Sequence, residues 1–358
     1  MTSFDSAAKR PRSGRPVAPA DSGRTGAGTG DGQAGSGRPA SGRPPPGRPE
    51  RGRPAESKDA FRTLSLLWIA LLVLTALLAD CLASDRPLVY SRDSSLHVLP
   101  STGPRGDALR AVLGPDDWVL WPPISSSSPT DVRTAGQLAP LAPPSPAHTL
   151  GTDDRGRDVA ARLVHGARTS LFAAALATLL ATLLALALAL AAIRANRAVE
   201  AGILALCDIL AAAPALLGAI AIGGLTGARG ATAIALFVAI PRGADTARLV
   251  IASLRSTLAE PFVAAARAAG ASPARVLVRH ALPHALPVLA AAAAITAATT
   301  VLAEAALTFL GLGASPPTPS WGELLAQASQ HDLPWWLSVP AGLVITLTAA
   351  ALLRIARR

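Results

Sequence analysis

Long apolar runs without charge are the feature that most limits how this chain can fold. The first, residues 63–79, has no charged side chain over seventeen positions, which is at the short end of a membrane-spanning helix. A second runs almost unbroken over residues 170–193, and as a helix it would be about 36 Å long. Because lipid offers the backbone no hydrogen-bond partners, such runs form helices. We therefore predict an all-α, polytopic membrane protein.

Four further runs bring the predicted number of transmembrane helices to six. Residues 285–310 and 337–353 are close to uninterrupted, whereas residues 201–222 and the run that starts at residue 231 contain proline and charged residues. A span broken in this way is stable in lipid only when its charges and freed backbone groups face protein or a wet cavity.

The runs divide the chain into four segments. Residues 1–60 are basic and rich in arginine, proline and glycine, with almost nothing apolar to bury, so we expect a disordered cytoplasmic tail. Residues 61–80 are the first transmembrane helix, and residues 81–168 form an extracytoplasmic loop segment with at most a small folded portion. Residues 169–358 form the core, with five transmembrane helices and a basic cytoplasmic loop at residues 253–284.

Basic residues determine the predicted orientation of the spans. The chain has 33 lysine and arginine residues against 23 aspartate and glutamate residues, and its short basic loops lie around residues 194–200 and 253–284. Short loops with an excess of arginine stay in the cytoplasm. Six crossings then place both termini in the cytoplasm, and the positive charge reflects membrane orientation and not a nucleic-acid partner.

No arrangement of residues in the sequence suggests covalent catalysis, because Ser-His-Asp spacing, paired carboxylates and a thiol site are all missing. The two lysines, Lys9 and Lys58, are not followed by Ser or Thr, so the chain lacks the ending of a phosphate-binding loop. Two cysteines are too few for a thiolate metal site, and no third ligand accompanies His280 and His284. We predict no catalytic residues, no metal site, and an energy source on another polypeptide.

The predicted loop at residues 253–284 is far longer than a turn requires. Its alanine-rich stretch leads to Gly270, which favours a helix end, and Pro273 can begin a second helix. Small side chains let a helix seat closely in a partner's groove, so the pattern is typical of a docking surface. The residues assigned to it are Glu260, Ala264, Ala265, Ala266, Arg267, Gly270, Ala271, Ser272, His280, Leu282 and Pro283.

This stretch resembles the cytoplasmic coupling loop of ABC importer permeases, whose pattern is Glu-Ala-Ala, three residues, Gly, and later Leu-Pro. The Ala-Ala pair before Gly270 matches, as do Leu282 and Pro283. The glutamate of the pattern is Ala264 here, and Glu260, one turn earlier, is the candidate substitute. The resemblance implies that the loop docks on an ATPase subunit.

Three further stretches narrow the resemblance to the dipeptide, oligopeptide and nickel branch. Residues 150–171 look like its Gly-Thr-Asp-x-x-Gly-Arg-Asp approach to the second helix, Asp208 with Pro214 matches its third helix, and residues 302–322 are similar to its fifth helix and the following loop. The first of these stretches is a polar turn that could contact a binding protein or could cap the second helix. The outer motif consists of Gly151, Thr152, Asp153, Gly156, Arg157 and Asp158.

The resemblance implies a type I ABC importer permease fold in the bacterial cytoplasmic (inner) membrane. The chain would form half of a translocation pore beside a homologous second permease, surrounded by membrane lipid. Two cytoplasmic ATPase subunits would bind ATP and Mg, so this chain itself would bind no cofactor, and an extracytoplasmic solute-binding protein would deliver the substrate. Peptides, nickel chelates, short sugars and antibiotics remain open as substrates.

Ionisable residues inside the predicted spans are the remaining functional candidates. We expect Asp208 to be buried in a structural hydrogen bond between helices, and Arg242 and Asp245 to pair across one turn. Glu304 could either line the pathway or pack against other helices. An alternative function, a proton-coupled secondary transporter that uses Asp208 and Glu304, predicts inverted repeats, and the sequence shows no convincing pair of matched halves.

Deletion of residues 1–58 distinguishes two interpretations of the basic tail. An inert, solvated tail, which we favour, leaves membrane insertion and transport unchanged. If the tail instead binds anionic lipid headgroups, its deletion impairs membrane insertion or transport. Membrane fractionation and uptake measurements on the truncated chain test both, and a loss of either contradicts the inert interpretation.

Overall fold

The structure, a computed structural model, is mostly helical, and its long helices pack side by side. The first 54 residues, and with them most of the predicted basic tail, lie outside the part it describes. Residues 55–60, which the sequence pattern assigned to the tail, are helical. The described residues are 55–84, 86–92, 95–98, 109, 114, 117–124, 140–146, 148–212, 215–313 and 317–357.

The helices are numbered in chain order. They are α1 Ala55–Leu77, α2 Ala79–Leu82, α3 Val159–Arg194, α4 Arg197–Ala212, α5 Ala215–Thr226, α6 Ala231–Leu258, α7 Pro261–Ala268, α8 Pro273–Val276, α9 Leu282–Phe309, α10 Trp321–Gln330 and α11 Trp335–Ala356. A π-helical segment, Leu277–Ala281, joins α8 to α9. Residues Pro273–Phe309 are therefore one continuous helix.

The described residues contain fewer apolar spans than the six that the sequence predicts. Four helices are long and apolar enough to cross a bilayer: α1, α3, the continuous helix Pro273–Phe309, and α11. The pair α4 and α5, bent by 74°, is a possible fifth. The predicted fourth span, α6, is long but carries Arg242, Asp245 and Arg248. The structure supports a multi-pass membrane protein with four or five apolar spans, and a sixth depends on α6.

Helix α3 begins well before the predicted start of the second span at residue 170. Its first turns carry Arg162 and Arg168, so a hydropathy pattern does not distinguish them from a loop. Both guanidinium groups have partners: Arg162 is buried against carboxylates, and Arg168 donates to the carbonyl oxygen of Ala76 at 2.6 Å. The boundary predicted at residues 168 and 169 therefore lies near Asp158 instead.

A small antiparallel sheet lies between α2 and α3, so the prediction of an all-α fold needs a correction. It has three strands, β1 Val89–Arg92, β2 Ser95–Val98 and β3 Val119–Leu120, in the order β2-β1-β3. Val89 is opposite Val98 on one side and Leu120 on the other. The strands are too short for a clear alternating pattern, which is why the sequence predicted only a loop.

Helices α3 and α6 make the most extensive helix–helix contact among the described residues. An alanine stands at every fourth position of α3 from Ala173 to Ala189, and each is at most 2% exposed. Residues four apart share one face of a helix. Across this face α6 brings Gly243 close to Leu184 and packs Ala244 near Ala185. Small residues let the two backbones approach closely, which favours helix association in lipid.

The helices come together at two opposite ends of the bundle. At the motif end, the start of α3 packs on α10 through Val159 and Leu324. At the loop end, the end of α3, the end of α6 and the start of α9 meet through Ala192, Leu254 and Ala285. The predicted outer motif lies at the first end and the predicted docking loop at the second.

Replacing Gly243 with leucine should destabilise the bundle by about 1–3 kcal/mol, the usual effect of overpacking. A Cβ atom at this position would lie 2.9 Å from Leu184 Cδ2 and 3.1 Å from the carbonyl oxygen of Ala181. Thermal unfolding of the detergent-solubilised protein measures the effect.

The matched control is Gly342→Leu in α11, where an added Cβ meets no described atom within 4 Å. Equal losses for the two variants would contradict the proposed role of the α3–α6 contact.

Candidate functional site

Helix α7 lies at the loop end between the two long helices α6 and α9. It starts with Pro261, whose missing N–H removes no helical hydrogen bond in the first turn. Val263 is fully buried, whereas Ala264 and Ala265 are exposed. Val263 thus anchors the helix, which presents exposed small residues on another face.

The end of α7 is formed at Gly270, as the sequence predicts. Gly270 has φ of 84°, a left-handed conformation that favours glycine. Its N–H donates to the carbonyl oxygen of Arg267 at 2.9 Å. The N–H of Ala271 donates to the carbonyl oxygen of Ala266 at 3.0 Å. These two bonds form a Schellman motif, which satisfies the last carbonyl groups of a helix.

The start of α8 also follows the predicted pattern. Ser272 is its N-cap and accepts a hydrogen bond from the N–H of Arg275 at 3.3 Å, and Pro273 occupies its first turn. At the other side of the loop, Glu260 is the exposed N-cap residue of α7. Arg267 is exposed as well, so the loop carries charge of both signs next to its alanine surface.

Pro283 does not interrupt the helix in which it lies. The chain passes through the π-helical segment directly into α9, and the N–H of Leu282 donates to the carbonyl oxygen of Leu277. A proline lacks the N–H of the usual i to i−4 bond and crowds the preceding turn. The wider π-helical turn accommodates both effects, so the helix continues.

His280 and His284 contact an aromatic ring at the loop end. The ring of Phe262 lies 6.0 Å from that of His280 and 5.9 Å from that of His284, measured between centroids. His284 Nδ1 also lies 2.8 Å from the carbonyl oxygen of His280. The two histidines therefore help to join α7 to the start of α9.

The outer motif is buried at its central residues, which disfavours contact with a binding protein, one of its two predicted roles. Thr152, Asp153, Arg157 and Asp158 are each at most 1% exposed. Its two glycines, Gly151 and Gly156, have φ of 69° and 74°, which allows the sharp turn that folds the motif back on itself. The other predicted role is confirmed, since Asp158 caps α3 by accepting from the N–H of Ala161 at 2.9 Å.

Two buried arginines link the motif to α10. Arg157 Nε and Arg162 Nη1 each lie 2.7 Å from Asp153 Oδ2. Arg162 also pairs with Glu323 of α10, and Gln327 donates to Glu323 at 2.8 Å. Burial raises the pKa of Glu323 to about 7, while the charge of Arg157 acts in the opposite direction. We call this group of residues the motif-end network.

The sequence patterns did not assign a role to Glu323 or predict α10. A signal was present, because Ser320 and Glu323 have the spacing of a capping box. In the structure Ser320 accepts a hydrogen bond from the N–H of Glu323 at 3.2 Å. The pairing with Arg162 has no such local signal, since the two residues are 161 positions apart.

Asp208 is exposed, which corrects the prediction that it is buried. Its carboxylate pairs with Arg248 of α6 at 3.1 Å, and the two side chains are 60% and 50% exposed. It does link two helices, but through an ion pair at the surface of the chain. Arg242 and Asp245 pair at 3.4 Å, as predicted. Pro214 lies outside the described residues.

Glu304 is packed between helices. It is 1% exposed, and it accepts hydrogen bonds from Ser170 of α3 at 2.9 Å and from Thr308 at 3.0 Å. Of the two open interpretations, these contacts favour packing over a position that lines a pathway.

Comparison with known proteins gives consistent matches over the core of the chain. Residues 181–358 match the family described as "Binding-protein-dependent transport system inner membrane component". A putative peptide transport system permease protein of Brucella suis biovar 1 is 36% identical over 239 residues, which cover 65% of this chain and 78% of that protein. The dipeptide transport system permease protein DppC of Escherichia coli K12 is 41% identical over 220 residues, 59% of this chain and 72% of DppC.

A solved structure of the MetNI methionine ABC transporter contains a similar chain. The match covers 55% of this chain and 95% of that chain, with 22% sequence identity and a TM-score of 0.45.

Replacing Glu323 with alanine should destabilise the protein by about 3 kcal/mol or more, because it removes one partner from a buried ion pair. Arg162 would keep Asp153 as its only carboxylate neighbour in the motif-end network. Denaturant unfolding in detergent measures the change.

Asp80→Ala is the matched control, because it breaks the exposed pair between Asp80 and Arg168. Exposed pairs contribute about 1 kcal/mol or less. A small loss for Glu323→Ala, similar to that of the control, would contradict a stabilising role for the motif-end network.

Proposed function

Because the chain belongs to the family of binding-protein-dependent transport system inner membrane components, we propose that it carries peptides across the bacterial cytoplasmic membrane as half of a translocation pathway. It is the permease subunit of an ABC importer and not an enzyme. The names of two similar proteins, a peptide and a dipeptide transport permease, support peptides as the substrate. The other half of the pathway is a homologous second permease, and a solute-binding protein delivers the peptide.

The exposed helix α7 is the observation that carries the coupling part of the proposal. It connects the end of α6 to the start of the continuous helix Pro273–Phe309, so a partner that binds α7 acts on two long helices at once. Ala264 and Ala265 are exposed and offer the partner small side chains. We assign this surface to one of two cytoplasmic ATPase subunits, which bind ATP and Mg, and Glu260 is the acidic residue nearest to it in the sequence.

The loop end faces the cytoplasm in this proposal. The ends of α3 and α6, the docking loop and the start of α9 carry Arg194, Arg255, Arg275 and Arg279, and cytoplasmic loops are rich in such residues. The start of α1 and the end of α11 lie together, because the guanidinium of Arg354 is 4.8 Å from the ring centroid of Phe61. This contact supports two termini on one side of the membrane.

The domain arrangement follows from this orientation. Residues 1–60 begin in the cytoplasm, α1 crosses the membrane, and the small sheet with the outer motif lies outside. The core from α3 onward returns the chain to the cytoplasm at α11. The motif-end network then holds the start of α3 against α10 on the outer side, where the sequence resemblance places the segment before the second helix.

The alternative, a proton-coupled secondary transporter, receives no support from the comparisons. Its two proposed proton carriers also have other contacts. Asp208 pairs with an arginine, and Glu304 is enclosed by hydroxyl donors between helices.

Replacing Gly270 with leucine should abolish ATP-driven peptide uptake and leave membrane insertion intact. The left-handed conformation of Gly270 disfavours a larger residue, so the substitution displaces the end of α7 without touching the spans. Uptake of a labelled dipeptide by vesicles that contain the complete transporter measures the effect.

Gly227→Leu is the matched control. Gly227 also has a positive φ, of 70°, and an added Cβ at either glycine meets no described atom within 4 Å. It lies between α5 and α6, away from the docking loop. Normal uptake by Gly270→Leu, or equal losses in both variants, would overturn the proposed coupling role.

A further inference from the structure

Helix α6 has two chemically different faces. One face buries residues against α3, among them Ala244, Ala247 and Val250. The other carries Arg242, Asp245, Arg248 and Arg255 at intervals of three or seven residues, so that all four project on the same side. A charged face of this kind is not stable against lipid tails. It must face water or a polar partner.

A groove lies along this charged face. Its volume is about 620 Å³, and helices α4 and α9 form its other walls through Leu204, Ala292 and Ile295. Arg242, Asp245, Arg248 and Arg255 all contribute to its lining. A groove of this size is within the range of small-molecule sites, which span about 300–1,000 Å³.

Two ion pairs at the groove can be reached by water. Arg255 differs, because its partner Glu200 is buried. Arg242 and Asp245 are 28% and 40% exposed and lie 3.4 Å apart. Exposed pairs of this kind are weak, so an incoming ligand with both charges can exchange with them. Arg242 Nε is buried and has no hydrogen-bond partner among the described residues, so the hydrogen-bonding capacity of this guanidinium is not filled by those residues.

The spacing of the charges matches a short peptide. Asp245 and Arg248 are three positions apart on the helix, a rise of about 4.5 Å. An extended dipeptide is at most about 7 Å long, and it carries an ammonium group at one end and a carboxylate at the other. Its ammonium group can therefore reach Asp245 while its carboxylate reaches Arg248 or Arg242.

We propose that this groove is a binding site for the two oppositely charged ends of a short peptide during its passage through the membrane. The proposal rests on the peptide-import function given above and adds the site, the ligand charges and the residues that receive them. Asp208 belongs to the site as a positioning residue, because it holds the guanidinium of Arg248 from α4 at 3.1 Å.

The first experiment tests whether the groove is wet. Leu249 lines it and is 55% exposed, while Leu343 of α11 is 56% exposed on another surface. Each is replaced by cysteine in a chain whose Cys81 and Cys207 are changed to alanine, and both are treated in permeabilised vesicles with a trimethylammonium thiol reagent. Leu249→Cys should react at least about tenfold faster than Leu343→Cys, because thiolates form in water and not in lipid. Saturating alanyl-alanine should slow the reaction.

Equally slow labelling of the two cysteines would overturn the proposal. Protection of Leu249→Cys by the second permease subunit alone, without added peptide, would have the same meaning, because the groove would then be an interface between subunits. Both results differ from the expected one, in which Leu249→Cys reacts fast and alanyl-alanine slows the reaction.

The second experiment removes the charge but keeps a hydrogen bond between the helices. In the double variant Asp208→Asn with Arg248→Gln, uptake of labelled alanyl-alanine by the reconstituted transporter should fall about tenfold, since a hydrogen bond to a charged group contributes at least that much to binding. ATP hydrolysis stimulated by the loaded binding protein should remain. The control, Asp80→Asn with Arg168→Gln, neutralises an exposed pair outside the groove and should retain uptake.

Wild-type uptake in the charge-neutral groove variant, or a parallel loss of ATP hydrolysis, would overturn the proposal. If the wild-type transporter itself does not take up alanyl-alanine, the peptide function and this ligand both fail. Fast labelling of Leu249→Cys would then still identify a water-filled groove, so the two failures are distinguishable.

Discussion

The close packing of α3 on α6 is the contact on which the rest of the structure depends. Lipid tails are as apolar as leucine side chains, so two helices in a membrane gain little from the hydrophobic effect and need close backbone approach instead. The alanine at every fourth position from Ala173 to Ala189 provides that approach along about four and a half turns, and Gly243 extends it on the facing helix. This contact fixes α6 with its charged face turned away from α3. It also holds the docking loop at one end of the bundle and the motif-end network at the other.

Features that depend on neighbouring residues were predictable from the sequence. Gly270 ends α7 and Asp158 caps α3 because the backbone conformation of a helix end is determined within one or two turns. Features that depend on distant residues were not. The buried outer motif pairs with Glu323, which is 161 positions from Arg162, and exposed Asp208 pairs with Arg248 in another helix. The helix also continues through Pro283, although a proline usually ends a helix. The reason is related, since this segment is stabilised by its packing against other helices.

The two groups of ion pairs differ in burial, and this difference separates their roles. Asp153, Arg157 and Arg162 are enclosed, so exchange of their partners would leave a bare charge in a dry environment. The pairs on α6 use the same chemical groups but reach solvent. The buried arrangement suits a stable contact between the start of α3 and α10. The exposed arrangement suits contacts that form and break. Residue type alone does not distinguish them; the depth of burial does.

The continuous helix Pro273–Phe309 has a mechanical consequence. It contains 37 residues, so it is a lever about 55 Å long. One end of this helix lies beside the docking loop. The other end lies near α10, next to the motif-end network. A tilt of about 5° around a pivot at one end moves the far end by about 5 Å over such a length. A hinge at Pro283 would have absorbed this displacement locally, whereas the unbroken π-helical turn transmits it from one side of the bundle to the other.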